Sequence, residues 1–134
     1  MGAWGTGIFD DDTAYDVLLS LSLADPLEQI EEWFANVADV DHLEYTDGQC
    51  VLVSGAVIDA ALNGTEYPCD DAETLAEVVT AVKHADPTRL SPVAVMHLER
   101  ILGHSSELRE LWEENEALFA EWEAGIEALI HRLR

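Results

Sequence analysis

The chain has 134 residues, 49% of them hydrophobic, which is long enough for one apolar core without metal or disulfide staples and too apolar for a disordered segment. Six Lys plus Arg against 28 Asp plus Glu give a net charge of −22, so a negative field covers nearly the whole surface. With Lys83 as its single lysine, the chain lacks the basic cluster that direct binding to nucleic acid or to an anionic membrane demands, and both are excluded as partners.

Taken in chain order, the first predicted helix starts behind Asp10, Asp11 and Asp12, with Ala14, Val17, Leu18 and Leu21 at i, i+3, i+4 and i+7. Asp25-Pro26-Leu27-Glu28 opens the second, with Asp25 as N-cap, Pro26 at the first helical position, and Leu27, Ile30, Phe34 and Val37 as its buried stripe. Asp39 to Tyr45 reads as a polar connector. Thr46-Asp47-Gly48-Gln49 then reads as a capping box for a third element, Cys50 to Leu62, which is apolar almost all round. Val51, Val53, Val57 and Ile58 would suit a buried strand, but a length of about thirteen residues favours a central helix, stopped by Asn63-Gly64. Asp70-Asp71-Ala72-Glu73 caps a fourth helix through Leu75, Val78, Val79 and Val82, and Ser91-Pro92 starts a fifth that ends at Gly103. Ser105 or Ser106 caps a last helix running from Leu108 to Leu133, which would reach roughly 40 Å and offer part of its length to a second copy as a homodimer contact.

No repeat, low-complexity tract or linker interrupts this pattern. Residues 1–134 are therefore expected to form a single all-α domain, a compact bundle of five to six helices with a glycine-rich N-terminal strap and a long C-terminal helix. No stretch approaches the roughly 18 apolar residues of a membrane span, and no basic region precedes an apolar one at the N-terminus, so a cytoplasmic location is expected. Cys50 and Cys69 match no zinc or redox spacing and are expected as reduced thiols.

Chemistry-bearing patterns are sparse. The strap Gly2-Ala3-Trp4-Gly5-Thr6-Gly7-Ile8-Phe9 is the least ordinary segment, since its glycines permit close backbone approach or positive φ. Its residues are explained by packing: Trp4, Ile8 and Phe9 plug the core while Asp10 or Asp11 caps the first helix. A phosphate-cradling loop is excluded by the aspartates that follow and by the missing Lys-Ser/Thr ending. Asp10, Asp11 and Asp12 would hold a hard cation only with help from a second acidic loop such as Asp39 and Asp41. The latter starts like a calcium loop but lacks its fifth-position oxygen and sixth-position glycine. His42, His84, His97, His104 and His131 form no metal-binding spacing, and Val53-Ser54-Gly55 lacks the flanks of a nucleophile elbow. Matches to a myristoylation pattern (Met1-Gly2 with Thr6) and a glycosylation sequon (Asn63-Gly64-Thr65) lack the polybasic anchor and the signal peptide that would give them meaning. No catalytic residue, metal ligand or cofactor is assigned.

Two strings carry a resemblance: Gly2-Ala3-Trp4-Gly5-Thr6-Gly7-Ile8-Phe9-Asp10-Asp11-Asp12-Thr13-Ala14, and Ser106-Glu107-Leu108-Arg109-Glu110-Leu111-Trp112. Together they resemble the bacterial domain-of-unknown-function family 4259, over nearly the whole chain. The resemblance implies a small bacterial protein of this length and brings no activity, cofactor or catalytic residue with it. Both strings set an acidic cap near a tryptophan, and the strap is expected to fold back so that Trp4 packs near Leu108 and Trp112. The leading functional expectation is a non-enzymatic module whose acidic surface or last helix engages a basic protein, in an immunity-like or regulatory role. The alternatives are a small enzyme or a ligand- or metal-binding protein using clustered carboxylates, and an acidity that serves only solubility or a salty cytoplasm.

Overall fold

A computed structural model describes residues 5–134, so the expectations placed on Gly2 and Trp4 lie outside the described residues. The described residues form seven α-helices and no sheet: α1 Asp12–Ser22, α2 Pro26–Ala38, α3 Tyr45–Asn63, α4 Ala72–Ala85, α5 Ser91–Ile101, α6 Glu107–Glu113 and α7 Glu116–Leu133. A 3-10 turn at Thr88–Leu90 leads into α5.

The helix starts follow from side chains that satisfy the orphan N–H groups of a first turn. Asp11 caps α1 by accepting from the N–H groups of Thr13 at 2.7 Å and Ala14 at 3.3 Å. Asp25 accepts from Glu28 N at 3.3 Å with Pro26 at the first position of α2, as its sequence predicts. Asp71, the second of the two adjacent aspartates, caps α4 through Thr74 N at 3.3 Å.

α3 is the axle of the bundle and touches all six other α-helices. Its stretch from Val51 to Ile58 is buried without interruption, which explains why the segment shows no amphipathic face. It begins earlier than the Thr46-Asp47-Gly48-Gln49 reading expects. Glu44 is the N-cap, Asp47 reaches back to accept from Glu44 N at 3.4 Å, and the carboxylate of Glu107 accepts from Tyr45 N at 2.8 Å. A carboxylate 62 residues away in sequence completes the cap, so the local pattern alone misplaces it.

The same junction corrects the polar connector. Leu43 is fully buried and bridged to the start of α6, donating to Ser105 O at 2.9 Å and accepting from Glu107 N at 2.9 Å. α3 and α6 approach so closely here that a Cβ on Gly48 would lie 2.5 Å from Leu108 Cδ1. Glycine at 48 is therefore a packing requirement.

The long last helix is broken. Ser106 caps α6 through Arg109 N at 3.3 Å, but the chain turns at Asn115, and α7 runs for 18 residues, about 27 Å. The break lets two tryptophans meet. Ten residues apart on a straight helix, Trp112 and Trp122 would be separated by about 15 Å along the axis, whereas their rings stack with centroids 6.0 Å apart. The length argument for a second copy therefore falls away, since α7 buries Trp122, Ile126, Leu129, Ile130 and Leu133 in the chain's own core.

Candidate functional site

A cavity of about 250 Å³ lies where the strap from Gly5 to Asp11 faces α3, α6 and α7. Its wall is formed by Gln49 and Leu52 of α3, Tyr67 and Pro68 of the α3–α4 loop, and the two stacked tryptophans, with Gly125 and Arg132 along α7.

The strap is held by its own aspartates. Asp10 turns back so that its Oδ2 accepts from Gly7 N at 3.1 Å, while Asp10 N donates to Gly7 O at 3.1 Å. A Cβ at Gly5 or Gly7 would fall 2.6 or 2.7 Å from that carboxylate oxygen, so both glycines make room for it. Phe9 is buried and packs edge-on against Tyr67, with ring centroids 6.1 Å apart. Ile8 packs more loosely on the same core.

Asp11 anchors a buried polar chain. Besides capping α1, it accepts a hydrogen bond from the Tyr45 hydroxyl. Burial pushes the Tyr45 phenol up, and the neighbouring Asp11 carboxylate pushes it further, so it remains a donor. Gln49 hydrogen-bonds the same hydroxyl, donating through its amide nitrogen because the phenol proton is already given to Asp11. That orientation leaves the amide oxygen over. Gln49 is 4% exposed, and its Oε1 has no partner among the described residues.

On the far side of the cavity the polar groups are fully met. Asp59 is completely buried and accepts from Asn63 Nδ2 at 2.7 Å, Tyr67 Oη at 2.5 Å and Arg132 Nε at 2.8 Å. Burial alone would raise its carboxyl, but these three donors, with the Thr65 side chain, outweigh it and hold the group below the usual carboxylate range. Burial and the Asp59 charge push the Tyr67 phenol up, and Arg132 spends a second nitrogen on Tyr67 Oη at 3.1 Å. Arg132 therefore enters the cavity wall with its charge already neutralised.

Residues 2–125 match the family model of a domain of unknown function, DUF4259. The chain belongs to that family. No curated protein and no solved structure matches it.

In this DUF4259 chain the residues from 106 to 112 divide their work between fold and cavity. Ser106 caps α6, Glu107 caps α3, and Leu108 rests on Gly48. Arg109 donates to Leu102 O and pairs with Glu113 at 2.6 Å, and its guanidinium lies 5.4 Å from the Phe119 ring centroid. Leu111 is only half-buried, while Trp112 is buried and forms part of the cavity wall.

The three adjacent aspartates are separated by function. Asp10 closes the strap, Asp11 serves the helix cap and Tyr45, and Asp12 faces solvent, as do Asp39 and Asp41. Among the described residues no three His, Cys, Asp or Glu side chains gather as a metal site requires. Cys50 and Cys69 are unbridged, and burial, with the Asp47 charge, pushes the Cys50 thiol up to about 11, away from reactivity. His97 is buried elsewhere, between Phe34 and Arg100. Burial, then the Arg100 charge, lowers its pKa, and its Nε2 is unpaired among the described residues. No described helix is long and apolar enough to cross a membrane.

Sequence reasoning missed Gln49 and Asp59. The available signal was a Gln and an Asp ten positions apart in a mostly apolar helix, where each buried polar group must find a partner or a use.

Proposed function

We propose that this bacterial, cytoplasmic protein is a non-enzymatic interaction module whose acidic surface engages a basic protein partner. One observation carries the reading: all five arginines are engaged within the chain. Arg89 pairs with Glu31, Arg134 with Glu99 and Arg132 with Asp59. Arg109 binds Leu102 O and Glu113, and Arg100 donates to Val37 O and Val40 O, closing the C-terminus of α2. Most of the 28 carboxylates thus remain uncompensated on the outside, and such a field steers a cationic partner into fast association. A non-catalytic role is further supported by the cavity's described lining, which contains no serine, cysteine or histidine and whose two aspartates are tied to local donors.

The protein, immobilised as bait, is exposed to an extract of its own organism and eluted with a salt gradient. The reading expects one basic protein retained in stoichiometric amount, with an association rate that falls steeply as salt shortens the Debye length. Absence of a basic partner, or a partner whose association ignores salt, contradicts it. The cavity favours a second reading, a ligand-binding role for the strap corner.

A further inference from the structure

We propose that the cavity beneath the strap binds a small aromatic cation: a flat apolar ring system carrying an N–H donor and a protonated amine. This goes beyond the protein-partner reading and does not depend on it. Three independent features define the class.

The first is the orphan acceptor. Gln49 lines the cavity with its Oε1 unpaired, although more than nine-tenths of the residue is buried. A buried acceptor without a partner is a cost to the fold, one that a ligand N–H removes on binding. Neighbouring donors are already committed: Tyr45 to Asp11, Tyr67 to Asp59 and Arg132 to both Asp59 and Tyr67.

The second is the shape of the wall. Trp112 and Trp122, stacked at an interplanar angle of 16°, both line the cavity, and an indole wall favours a flat ring and attracts a cation through the ring quadrupole. Beside them Gly125 occupies a mid-helix position of α7, where glycine is less favourable than alanine. No atom of the described residues lies within 4 Å of a Cβ built there, so none of them demands this glycine. Its effect is to keep the cavity wall open.

The third is charge. Asp10 and Asp11 contribute carboxylates to the lining, Arg132 is neutralised by Asp59, and the molecule as a whole carries −22. An anion would enter against that field, whereas an ammonium group is drawn in.

Calorimetric titration of the full chain with tryptamine, neutral indole and indole-3-acetate tests the class directly. Tryptamine should bind tightest, indole more weakly, and indole-3-acetate not measurably. Gly125→Leu should abolish tryptamine binding while the chain remains folded, since the substitution fills the cavity and removes a helix glycine. Gln49→Met should weaken binding roughly tenfold, the equivalent of one buried hydrogen bond, without loss of thermal stability. A capped Lys-Trp-Lys tripeptide distinguishes the sources of this chemistry. Tighter binding than tryptamine supports the site with a polypeptide side chain as occupant, and weaker binding supports it with a free amine. The proposal is overturned if none of the amines binds, if indole-3-acetate binds as well as tryptamine, or if Gly125→Leu leaves affinity unchanged. It is also overturned if binding appears only in Trp4→Ala, because the cavity would then be the seat of the chain's own tryptophan.

Discussion

Asp59 and Gln49 sit ten positions apart on the same buried helix, and their surroundings differ in one respect. Asp59 receives hydrogen bonds from Asn63, Tyr67 and Arg132 and is embedded in a closed network joining α3, the α3–α4 loop and α7. Gln49 donates to Tyr45 but receives nothing from the described residues at its amide oxygen, and it lines a cavity. A polar group with every lone pair met belongs to the architecture. One left unmet beside open volume is a cost to the fold that binding would offset.

The largest expected effect tests the architectural side. Asp59→Ala leaves Arg132 and Tyr67 without their common acceptor and should destabilise the chain by about 3 kcal/mol in denaturant unfolding, at the lower end for a broken buried pair because Arg132 is partly solvated. A loss under about 1 kcal/mol would remove the contrast with Gln49. Because the folded pKa of Asp59 lies below its ordinary 3.8, its stabilisation is present above that pH and disappears as the pH falls through the lower folded value. Wild type and Asp59→Ala should therefore converge in stability in strong acid.

Two glycines sharpen the same contrast with opposite signs. Gly48→Ala drives a methyl into Leu108, at an overpacking cost of about 1–3 kcal/mol against a helix-propensity gain of about 1, so it should be net destabilising. Gly125→Ala meets no described neighbour and should raise stability by about 1 kcal/mol. Matched thermal melts of the two variants decide the matter, and a destabilised Gly125→Ala would show that residue 125 serves packing after all.

How far these distinctions were readable beforehand depends on whether the cause was local. The caps of α1 and α2 and the central position of α3 were legible because Asp11, Asp25 and the nearly continuous apolar run of α3 act within a few residues of themselves. The start of α3 was not, because Glu107 supplies a cap from a distant segment. The break at Asn115 was hidden because the apolar spacing of α6 continues into α7 almost in phase, and only the stacking of Trp112 on Trp122 reveals the turn. Leu43 stood alone among polar neighbours, and nothing local marked it as a core residue. Of the cavity, the strap and Trp112 stood out in the sequence, while Gln49, Gly125 and Trp122 gain their meaning only from the space they share.

A smaller effect concerns His97, which like Gln49 and Ser54 is a buried side chain with an unpaired polar atom among the described residues. Its folded pKa lies below the ordinary 6.5, first through burial and then through the Arg100 charge. As the pH falls below 6.5 the unfolded chain takes up a proton that the folded chain accepts only at lower pH, so stability is lost across that window. His97→Leu should show a shallower decline in denaturant midpoint than wild type over that range. Identical pH slopes would show that the imidazole titrates freely in the fold and that its burial carries no cost.

The most direct test of the contrast between a satisfied and an unsatisfied buried group is Gln49→Met, measured for both unfolding and tryptamine binding. The substitution removes the orphan oxygen at nearly constant volume and leaves Tyr45 still donating to Asp11. The account predicts stability equal to or above that of wild type together with roughly tenfold weaker tryptamine binding. A variant that unfolds more easily and binds tryptamine as wild type does would contradict it, and would place Gln49 with Asp59 among the groups that serve only the fold.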